Sequence, residues 1–326
     1  MDSIAARSFA LPGLKMQVLE AGPVEGPLVL LLHGFPELSD SWRGVLPLLA
    51  EAGFHAVAPD LRGYGGTERP AAGYDLDTLA RDVVMLAREL QPGRPVHLVG
   101  HDWGGIIAYH VAALFPEAVD RLAVLNAPHL PLMVRELWKP AQLMRSWYVF
   151  FFQLPWLPEH LLSAGGGALI PRLIRRSVVD PSRLPPGRLA AFEASFSTPE
   201  SLRGPIDYYR QLIRRTFTPW GLWRARHTPR IQAPLLLIWG AQDAALREES
   251  FTRGLEPYFE VPPRVVRLAD EGHFMPLVAP REVAALLLEH FAGERPARPT
   301  LGGVRATPRG GASSPAPHTS PGAGGP

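Results

Sequence analysis

A carboxylate lies between glycines where a predicted strand meets a predicted helix. The strand Val96–Val99 runs directly into the sequence GHDWGG at Gly100–Gly105. Small residues on either side of a central nucleophile are typical of a tight strand–helix turn that lifts the central side chain above the sheet. Serine is the usual nucleophile there, but here it is Asp102, which taken alone would also fit a helix cap. A carboxylate attacks without first losing a proton, so Asp102 suits displacement at an sp³ carbon through an ester intermediate.

Two residues that such a nucleophile needs follow later predicted strands. Asp243 lies just beyond the strand Leu235–Trp239, and His273 lies in the loop after Val265–Leu268. Nucleophile, acid and histidine in this order, each after its own strand, indicate a hydrolytic triad. Asp243 alone could be a turn residue and His273 a structural histidine, so the prediction rests on the whole set. Asn126 occupies the other position open to a triad acid, but it is not acidic.

Two backbone N–H groups are expected to form an oxyanion hole. The strand Leu28–Leu32 ends in the sequence HGFP at His33–Pro36. With a turn of this kind, the loop after that strand supplies one N–H and the residue after the nucleophile supplies the other. Phe35 and Trp103 occupy these positions, so we expect their N–H groups to bind an oxyanion.

Composition excludes several other kinds of chemistry. The 326 residues include no cysteine, which rules out disulfides, zinc–thiolate sites, iron–sulfur clusters and thiol nucleophiles. We expect no metal and no organic cofactor. The longest apolar runs are strand-length, short of the ~18 residues of a membrane helix, and no apolar stretch follows Arg7. We therefore expect no membrane span and no signal peptide, but a soluble, cytoplasmic protein.

The basic balance of the chain lies in its last residues. The net charge is +2 overall, and residues 294–326 carry +3, which leaves −1 for the remainder. A near-neutral total for residues 1–293 predicts no basic face for phosphates, so we expect no nucleic-acid partner.

The elements that must position these residues alternate along the chain. Continuous apolar strands alternating with helices predict an α/β fold with a mostly parallel central sheet and helices on both faces. The predicted helices are Ser41–Ala50, Leu76–Leu90 and Gly104–Leu114. Besides the strands already named, those predicted are Met16–Ala21, His55–Ala58 and Leu122–Leu125.

A helical, aromatic-rich segment interrupts this alternation. Residues 131–228 contain no buried-strand run, so we predict a helical cap inserted between two strands, over the edge of the sheet where α/β proteins bind ligands. Residues 1–130 and 229–293 then form the two parts of the core. Residues 294–326 are rich in proline and glycine and are predicted to be a disordered tail.

From about Phe9 to Phe291 the sequence resembles the α/β-hydrolase fold, and within it the epoxide hydrolases of the soluble type. In the core the resemblance rests on HGFP, on DLRGYGGTERP at Asp60–Pro70, on GHDWGG, on WGAQD at Trp239–Asp243 and on EGHF at Glu271–Phe274. In the cap it rests on SWYVFFFQLPWLP at Ser146–Pro158 and RGPIDYYR at Arg203–Arg210.

The resemblance implies two cap tyrosines that point at the nucleophile. By motif they are Tyr148 and Tyr209, with Tyr208 as the neighbour that could be mistaken for Tyr209. Opening an epoxide generates an alkoxide, which needs a proton or strong hydrogen bonds. A phenol, with an ordinary pKa near 10, remains protonated at neutral pH and can supply them.

The implied reaction is cofactor-independent hydrolysis of an ether bond. Asp102 attacks an epoxide carbon, His273 supported by Asp243 activates water against the resulting ester, and a vicinal diol leaves. The expected partners are a small apolar epoxide and water, bound by a monomer or a homodimer. The residues expected to contact the substrate are Phe35, Trp103, Phe152 and Phe274.

Two alternatives stay open at this point. A haloalkane dehalogenase shares the aspartate turn, but Phe35 stands where many dehalogenases carry a halide-binding asparagine, and a phenyl ring cannot donate a hydrogen bond. A non-catalytic ligand-binding protein is also compatible with the fold, because fold alone does not fix function. Such proteins commonly lose a catalytic residue, and none is visibly lost here.

Overall fold

One eight-stranded sheet forms the centre of the molecule. A computed structural model of the protein describes residues 4–136 and 139–293. Within these residues the strands have the spatial order β1-β2-β4-β3-β5-β6-β7-β8. β2 is antiparallel to β1 and β4, and every other pairing is parallel, so the prediction of a mostly parallel sheet is confirmed. The strands are β1 (Ala5–Leu11), β2 (Leu14–Ala21), β3 (Leu28–Leu32), β4 (His55–Pro59), β5 (Val96–His101), β6 (Val119–Leu125), β7 (Leu235–Gly240) and β8 (Arg264–Leu268).

Helices follow most of the strands and fill one long interval between two of them. In the core they are α1 (Leu46–Glu51), α2 (Leu76–Leu90) and α3 (Trp103–Leu114), and, after β7, α12 (Glu248–Thr252), α13 (Met275–Val278) and α14 (Pro280–Ala292). In the interval they are α4 (Leu130–Glu136), α5 (Pro140–Arg145), α6 (Trp147–Phe151), α7 (Leu157–Ser163), α8 (Leu169–Ser177), α9 (Arg188–Ser195), α10 (Pro199–Thr216) and α11 (Pro219–Arg226). None of the helices in the described ranges is long and apolar enough to cross a bilayer.

The middle of the sheet is buried on both faces, and its strand β3 is apolar at every position. In β3, Leu28, Leu30 and Leu32 join one hydrophobic core cluster, while Val29 and Leu31 join the cluster on the opposite face. Burying a leucine side chain stabilises a fold by about 1.5–3 kcal/mol. A strand that gains this on both faces occupies the middle of the sheet, and β3 lies there, between β4 and β5.

Two parts of the sequence fold differently from expectation. The predicted helix Ser41–Ala50 is instead a 3₁₀ turn at Ser39–Trp42 followed by α1. Pro47 explains the break, because proline has no N–H to donate and is tolerated only in a helix's first turn, where it lies in α1. The strand β1 was not predicted, since it is a largely exposed edge strand without an apolar run.

The helices α4–α11 are inserted between two strands that are neighbours in the sheet. β6 pairs directly with β7, Leu122 lying opposite Leu235. We call this helical insertion the cap, and its boundaries at residues 131 and 228 stay a prediction. The predicted tail, residues 294–326, lies outside the described residues.

Candidate active site

Asp102 occupies the turn between β5 and α3 in a strained conformation. Its φ is +49°, in the region that side chains other than glycine rarely adopt, at a cost of roughly 1–2 kcal/mol. The turn holds the carboxylate at the N-cap position of α3. Burial raises the pKa of Asp102, although the neighbouring His273 and His101 and the N–H groups of Phe35 and Trp103 act in the opposite direction.

Glycine is required where the loop after β3 meets this turn. A Cβ on Gly34 would overlap the side chain of Asp102, and a Cβ on Gly104 would overlap the carbonyl of Leu32. Only residues without side chains let the two backbones approach this closely. The approach brings the Phe35 N–H to 2.8 Å from Asp102 Oδ1. The two N–H groups predicted for an oxyanion hole, from Phe35 and Trp103, therefore both reach the Asp102 carboxylate.

The histidine and the second aspartate come together from separate loops. His273 Nδ1 lies 2.7 Å from Asp243 Oδ2, and His273 Nε2 lies 3.7 Å from Asp102 Oδ2. Burial alone would lower the pKa of His273, but the two carboxylates outweigh it and raise the pKa to about 9. The imidazole is therefore charged at neutral pH, between two carboxylates.

Asn126 positions the acid, a role that sequence reasoning missed. Its Nδ2 donates to Asp243 Oδ2 at 2.6 Å, and its Oδ1 accepts from the Gly240 N–H at 3.0 Å. Asp243 Oδ1 also accepts from the backbone N–H groups of Ala245 and Leu246. Burial favours the neutral acid, but His273 and these donors keep the pKa of Asp243 below its ordinary value. The carboxylate is thereby fixed in its ionised form.

A third buried carboxylate, that of Glu37, connects the segments that carry these side chains. Glu37 Oε2 lies 2.6 Å from His101 Nδ1 and accepts from the Gly34 N–H. His101 Nε2 lies 2.8 Å from the backbone carbonyl of His273. Burial opposes ionisation of Glu37, but His101 and the hydroxyl of Ser41 lower its pKa to about 2. The ionised Glu37 carboxylate thus links the loop after β3, the turn at Asp102 and, through His101, the loop that carries His273.

The two predicted cap tyrosines lie at a cavity beside Asp102. Tyr148 and Tyr209 line it together with Asp102 and Trp103. Burial, followed by the charge of Asp102, raises the pKa of both phenols, so each hydroxyl keeps its proton. Tyr208 differs: its hydroxyl donates to the backbone carbonyl of Arg62 at 2.9 Å. Of the neighbouring tyrosines, Tyr209 is the one that lines the cavity.

Arg210 holds the two tyrosine-bearing helices in register. From α10 it donates to the carbonyls of Phe152 and Leu154, the segment that follows α6, at 2.9 and 2.6 Å. It also forms a buried ion pair with Glu159 of α7 at 2.6 Å. Sequence reasoning missed this role, because the partners lie more than fifty residues away along the chain.

The predicted substrate contacts are only partly at the cavity wall. Of the four residues, Trp103 lines the cavity, whereas Phe35, Phe152 and Phe274 are not among its lining residues in the described part of the chain. Phe35 and Phe152 pack behind Tyr209, with ring centroids 5.6 and 4.9 Å from it, and Phe274 packs against His273 at 5.0 Å. Their placement indicates support of the catalytic side chains.

The cavity is small, and a larger one adjoins it. It has a volume of about 40 Å³, and the neighbouring cavity, between α2, α3, α10 and α11, has about 350 Å³. Ile106 and Leu212 line both, so these two side chains form part of the wall between them.

A mostly parallel sheet, an inserted cap and a buried aspartate–histidine–aspartate set define a class of protein. The family described as alpha/beta hydrolase fold matches residues 27–280. The chain belongs to the α/β-hydrolase family, and it is a hydrolase.

Within that family, the chain is similar to several proteins named epoxide hydrolases. The chain is 34% identical to epoxide hydrolase 3 of Mus musculus over 83% of this chain and 72% of that protein. It is 37% identical to epoxide hydrolase 4 of Homo sapiens over 73% of this chain, and there it spans 65% of the relative's length. The crystal structure of Bacillus megaterium epoxide hydrolase in complex with an inhibitor matches with a TM-score of 0.79 at 28% identity, covering 88% of this chain and all of that one.

Proposed function

We propose that the protein converts an apolar epoxide and water into a vicinal diol through a covalent ester on Asp102. The observation that carries the proposal is the placement of one carboxylate and two protonated phenols, Tyr148 and Tyr209, at one cavity. A carboxylate supplies the nucleophile, and two phenols supply the acid that an opening epoxide needs. The similar proteins named above support the same reaction.

In the first step, Asp102 Oδ2 attacks an epoxide carbon and the carbon–oxygen bond of the ring breaks. Oδ1 is already held by the Phe35 N–H, which leaves Oδ2 as the attacking atom. Negative charge develops on the ring oxygen, and Tyr148 and Tyr209 donate to it. The step yields a hydroxyalkyl ester and leaves one of the two tyrosines deprotonated. This tyrosine regains its proton from solvent.

In the second step, His273 acts as the general base. Formation of the ester removes the charge of Asp102, one of the two carboxylates that raise the pKa of His273. The pKa of His273 then falls and its Nε2 proton passes to solvent, so Nε2 can accept a proton from the attacking water. The water attacks the ester carbonyl carbon, and the N–H groups of Phe35 and Trp103 stabilise the resulting oxyanion. The bond between this carbon and the diol oxygen then breaks, His273 returns the proton to that oxygen, and the diol leaves with Asp102 regenerated.

Binding of an organic epoxide requires more space than the catalytic cavity offers. About 40 Å³ accommodates water but not an aromatic or terpene epoxide. We propose that Ile106 and Leu212 move aside, so that the apolar part of the substrate enters the adjoining cavity.

The test is a side-by-side assay of purified protein with styrene oxide and 1-bromobutane, measuring diol and bromide. We expect diol without bromide, and loss of diol formation in Asp102→Asn. The matched control is Asp270→Asn, at an exposed aspartate of the loop that carries His273. This variant should retain activity. Bromide release would indicate a dehalogenase instead. Tight binding of epoxides across a wide panel with no turnover would indicate a binding protein.

A further inference from the structure

The cap and the core carry opposite charges. Residues 131–228 contain 14 Lys and Arg against 6 Asp and Glu, a net charge of +8. Residues 1–130 and 229–293 contain 15 against 24, a net charge of −9. The near-neutral total, from which we predicted no basic face, therefore conceals a strongly polarised molecule.

Part of this charge joins the cap to the core, and part faces outward. Four cap arginines pair with core carboxylates: Arg183 with Glu271, Arg188 with Asp40, Arg215 with Asp75, and Arg224 with Asp77. In contrast, Arg172, Arg175 and Arg176 on α8 are exposed and form no ion pair with any described residue. The buried face of α8 is apolar, through Ile170 and Ile174. Its outer face is basic.

Large apolar side chains are exposed on the helices that precede α8. Met144, Trp147 and Trp156 are exposed by 77%, 63% and 66%, and Leu143, Phe150 and Leu154 are exposed as well. Scattered apolar residues are ordinary on a surface, but six exposed within residues 143–156 indicate an interaction site. The helix α6 has two such faces, since Tyr148 lines the catalytic cavity while Trp147 and Phe150 face outward.

We propose that the outer surface of the cap, formed by the exposed residues of α5–α8, binds to an anionic lipid membrane. Tryptophan, phenylalanine and leucine favour the boundary between headgroups and acyl chains, and arginine pairs with lipid phosphates. A second copy of this chain is a poorer occupant, because a symmetric contact would bring the unpaired arginines of both copies together. Docking needs no membrane-spanning helix. It does not depend on the proposed reaction, although apolar epoxides dissolve in lipid.

The test uses the full chain and sedimentation with vesicles. We expect binding to vesicles of equal parts phosphatidylglycerol and phosphatidylcholine, weakened by salt, and little binding to pure phosphatidylcholine. Binding should also shift the tryptophan emission to shorter wavelength. Equal binding to both kinds of vesicle, or none at low salt, would overturn the proposal.

Two matched pairs of variants locate the surface. Replacing Arg172, Arg175 and Arg176 by Gln should weaken binding on the order of a hundredfold, whereas replacing Arg81, Arg88 and Arg94, exposed near or on α2 of the core, should have a much smaller effect.

The second pair compares the same substitution at two exposed tryptophans. Trp147→Ser should weaken binding and reduce the spectral shift, whereas Trp220→Ser, at a tryptophan of α11 that is 66% exposed, should not. Equal effects within either pair would contradict the assignment. Light scattering completes the design: a dimer that Trp147→Ser dissociates, with vesicle binding unchanged, would assign this face to self-association and refute lipid docking.

Discussion

At the scale of single residues, the charges of Asp102 and His273 depend on each other. In the proposed mechanism, the carboxylate holds the imidazole proton in the resting enzyme, and loss of that carboxylate charge on ester formation releases it. No additional residue is needed to switch His273 from cation to base. The phenols behave differently, because burial and the nearby Asp102 raise their pKa values and keep them protonated.

Removing one phenol should slow the first chemical step only. General-acid donation contributes about 10²–10⁴-fold to a rate, and two donors share it here. Tyr148→Phe or Tyr209→Phe should therefore slow ester formation by about 10- to 100-fold in single-turnover experiments, while ester hydrolysis is unchanged. Tyr208→Phe is the control, since its hydroxyl bonds to a backbone carbonyl outside the cavity. A larger effect of Tyr208→Phe than of Tyr209→Phe would contradict the assignment.

The raised pKa of His273 also predicts how stability changes with pH. The folded state holds this proton more tightly than the unfolded chain, because the pKa rises from 6.5 to about 9. The stabilisation is complete below pH about 6.5 and is lost as pH rises through about 9. The free energy of unfolding should thus fall more steeply over this range for the wild type than for His273→Gln. Parallel curves in urea titrations would show that the pair of carboxylates does not hold the proton.

At the scale of elements, the site depends on how α6 and α10 are fixed to each other. Neither helix carries both phenols, so their spacing is set by Arg210, whose guanidinium joins the end of α6, α7 and α10. A buried ion pair of this kind is costly to break from one side, because the remaining charge is left unpaired.

Arg210→Met should accordingly destabilise the fold and impair the first step. We expect a loss of about 3–5 kcal/mol in the free energy of unfolding, as for other buried pairs broken from one side. Ester formation should slow although no catalytic group is removed. Arg203→Met, at an exposed arginine of the same helix that lines neither cavity, should change neither quantity. An Arg210→Met variant with full stability would exclude the role of this ion pair.

The wall between the two cavities should control substrate size. Leu212→Ala would join the small and large cavities, so we expect kcat/KM for a bulky epoxide to rise relative to that for styrene oxide. Leu202→Ala, at a buried leucine of α10 that lines neither cavity, controls for lost packing. Both variants should cost stability, about 2–5 kcal/mol, but only Leu212→Ala should change the selectivity. A selectivity change in both would exclude the wall as its cause.

Elements of the site that are local in sequence were predictable, and those that depend on distant partners were not. The turn around Asp102 and the loop of His273 could be placed because each directly follows an apolar strand. The contributions of Asn126, Glu37 and Arg210 come from pairings between segments far apart in the chain, which no local spacing records. The prediction of a helix at Ser41–Ala50 was wrong for a local reason. The apolar residues there have helical spacing, but Pro47 interrupts the helix.

At the scale of the whole molecule, the cap is attached to the core by charge as well as by apolar packing. The four ion pairs between them are partly exposed, and each such pair contributes little by itself, typically 0–1 kcal/mol. Together they join a basic unit to an acidic one, so the attachment is sensitive to screening.

Salt should therefore loosen the cap before it affects the sheet. Raising the salt concentration from about 0.01 M to about 1 M shortens the Debye length from about 30 Å to about 3 Å. Hydrogen exchange should become faster at amides of α10 and α11, with β3 and β5 unchanged. Uniform protection at both salt concentrations would mean that apolar packing alone holds the cap in place.

The direct pairing of β6 with β7 has a consequence for how such enzymes diversify. Because the cap begins after one strand and ends before the strand next to it in the sheet, it could be replaced by another cap without a change in the strand order. Both phenols belong to the cap, whereas Asp102, His273 and Asp243 belong to the core. A chimera with the cap of a related enzyme would therefore take the groups that protonate the epoxide oxygen from that enzyme and keep the residues that hydrolyse the ester. Exchange of the cap alone could thus yield enzymes with new substrates.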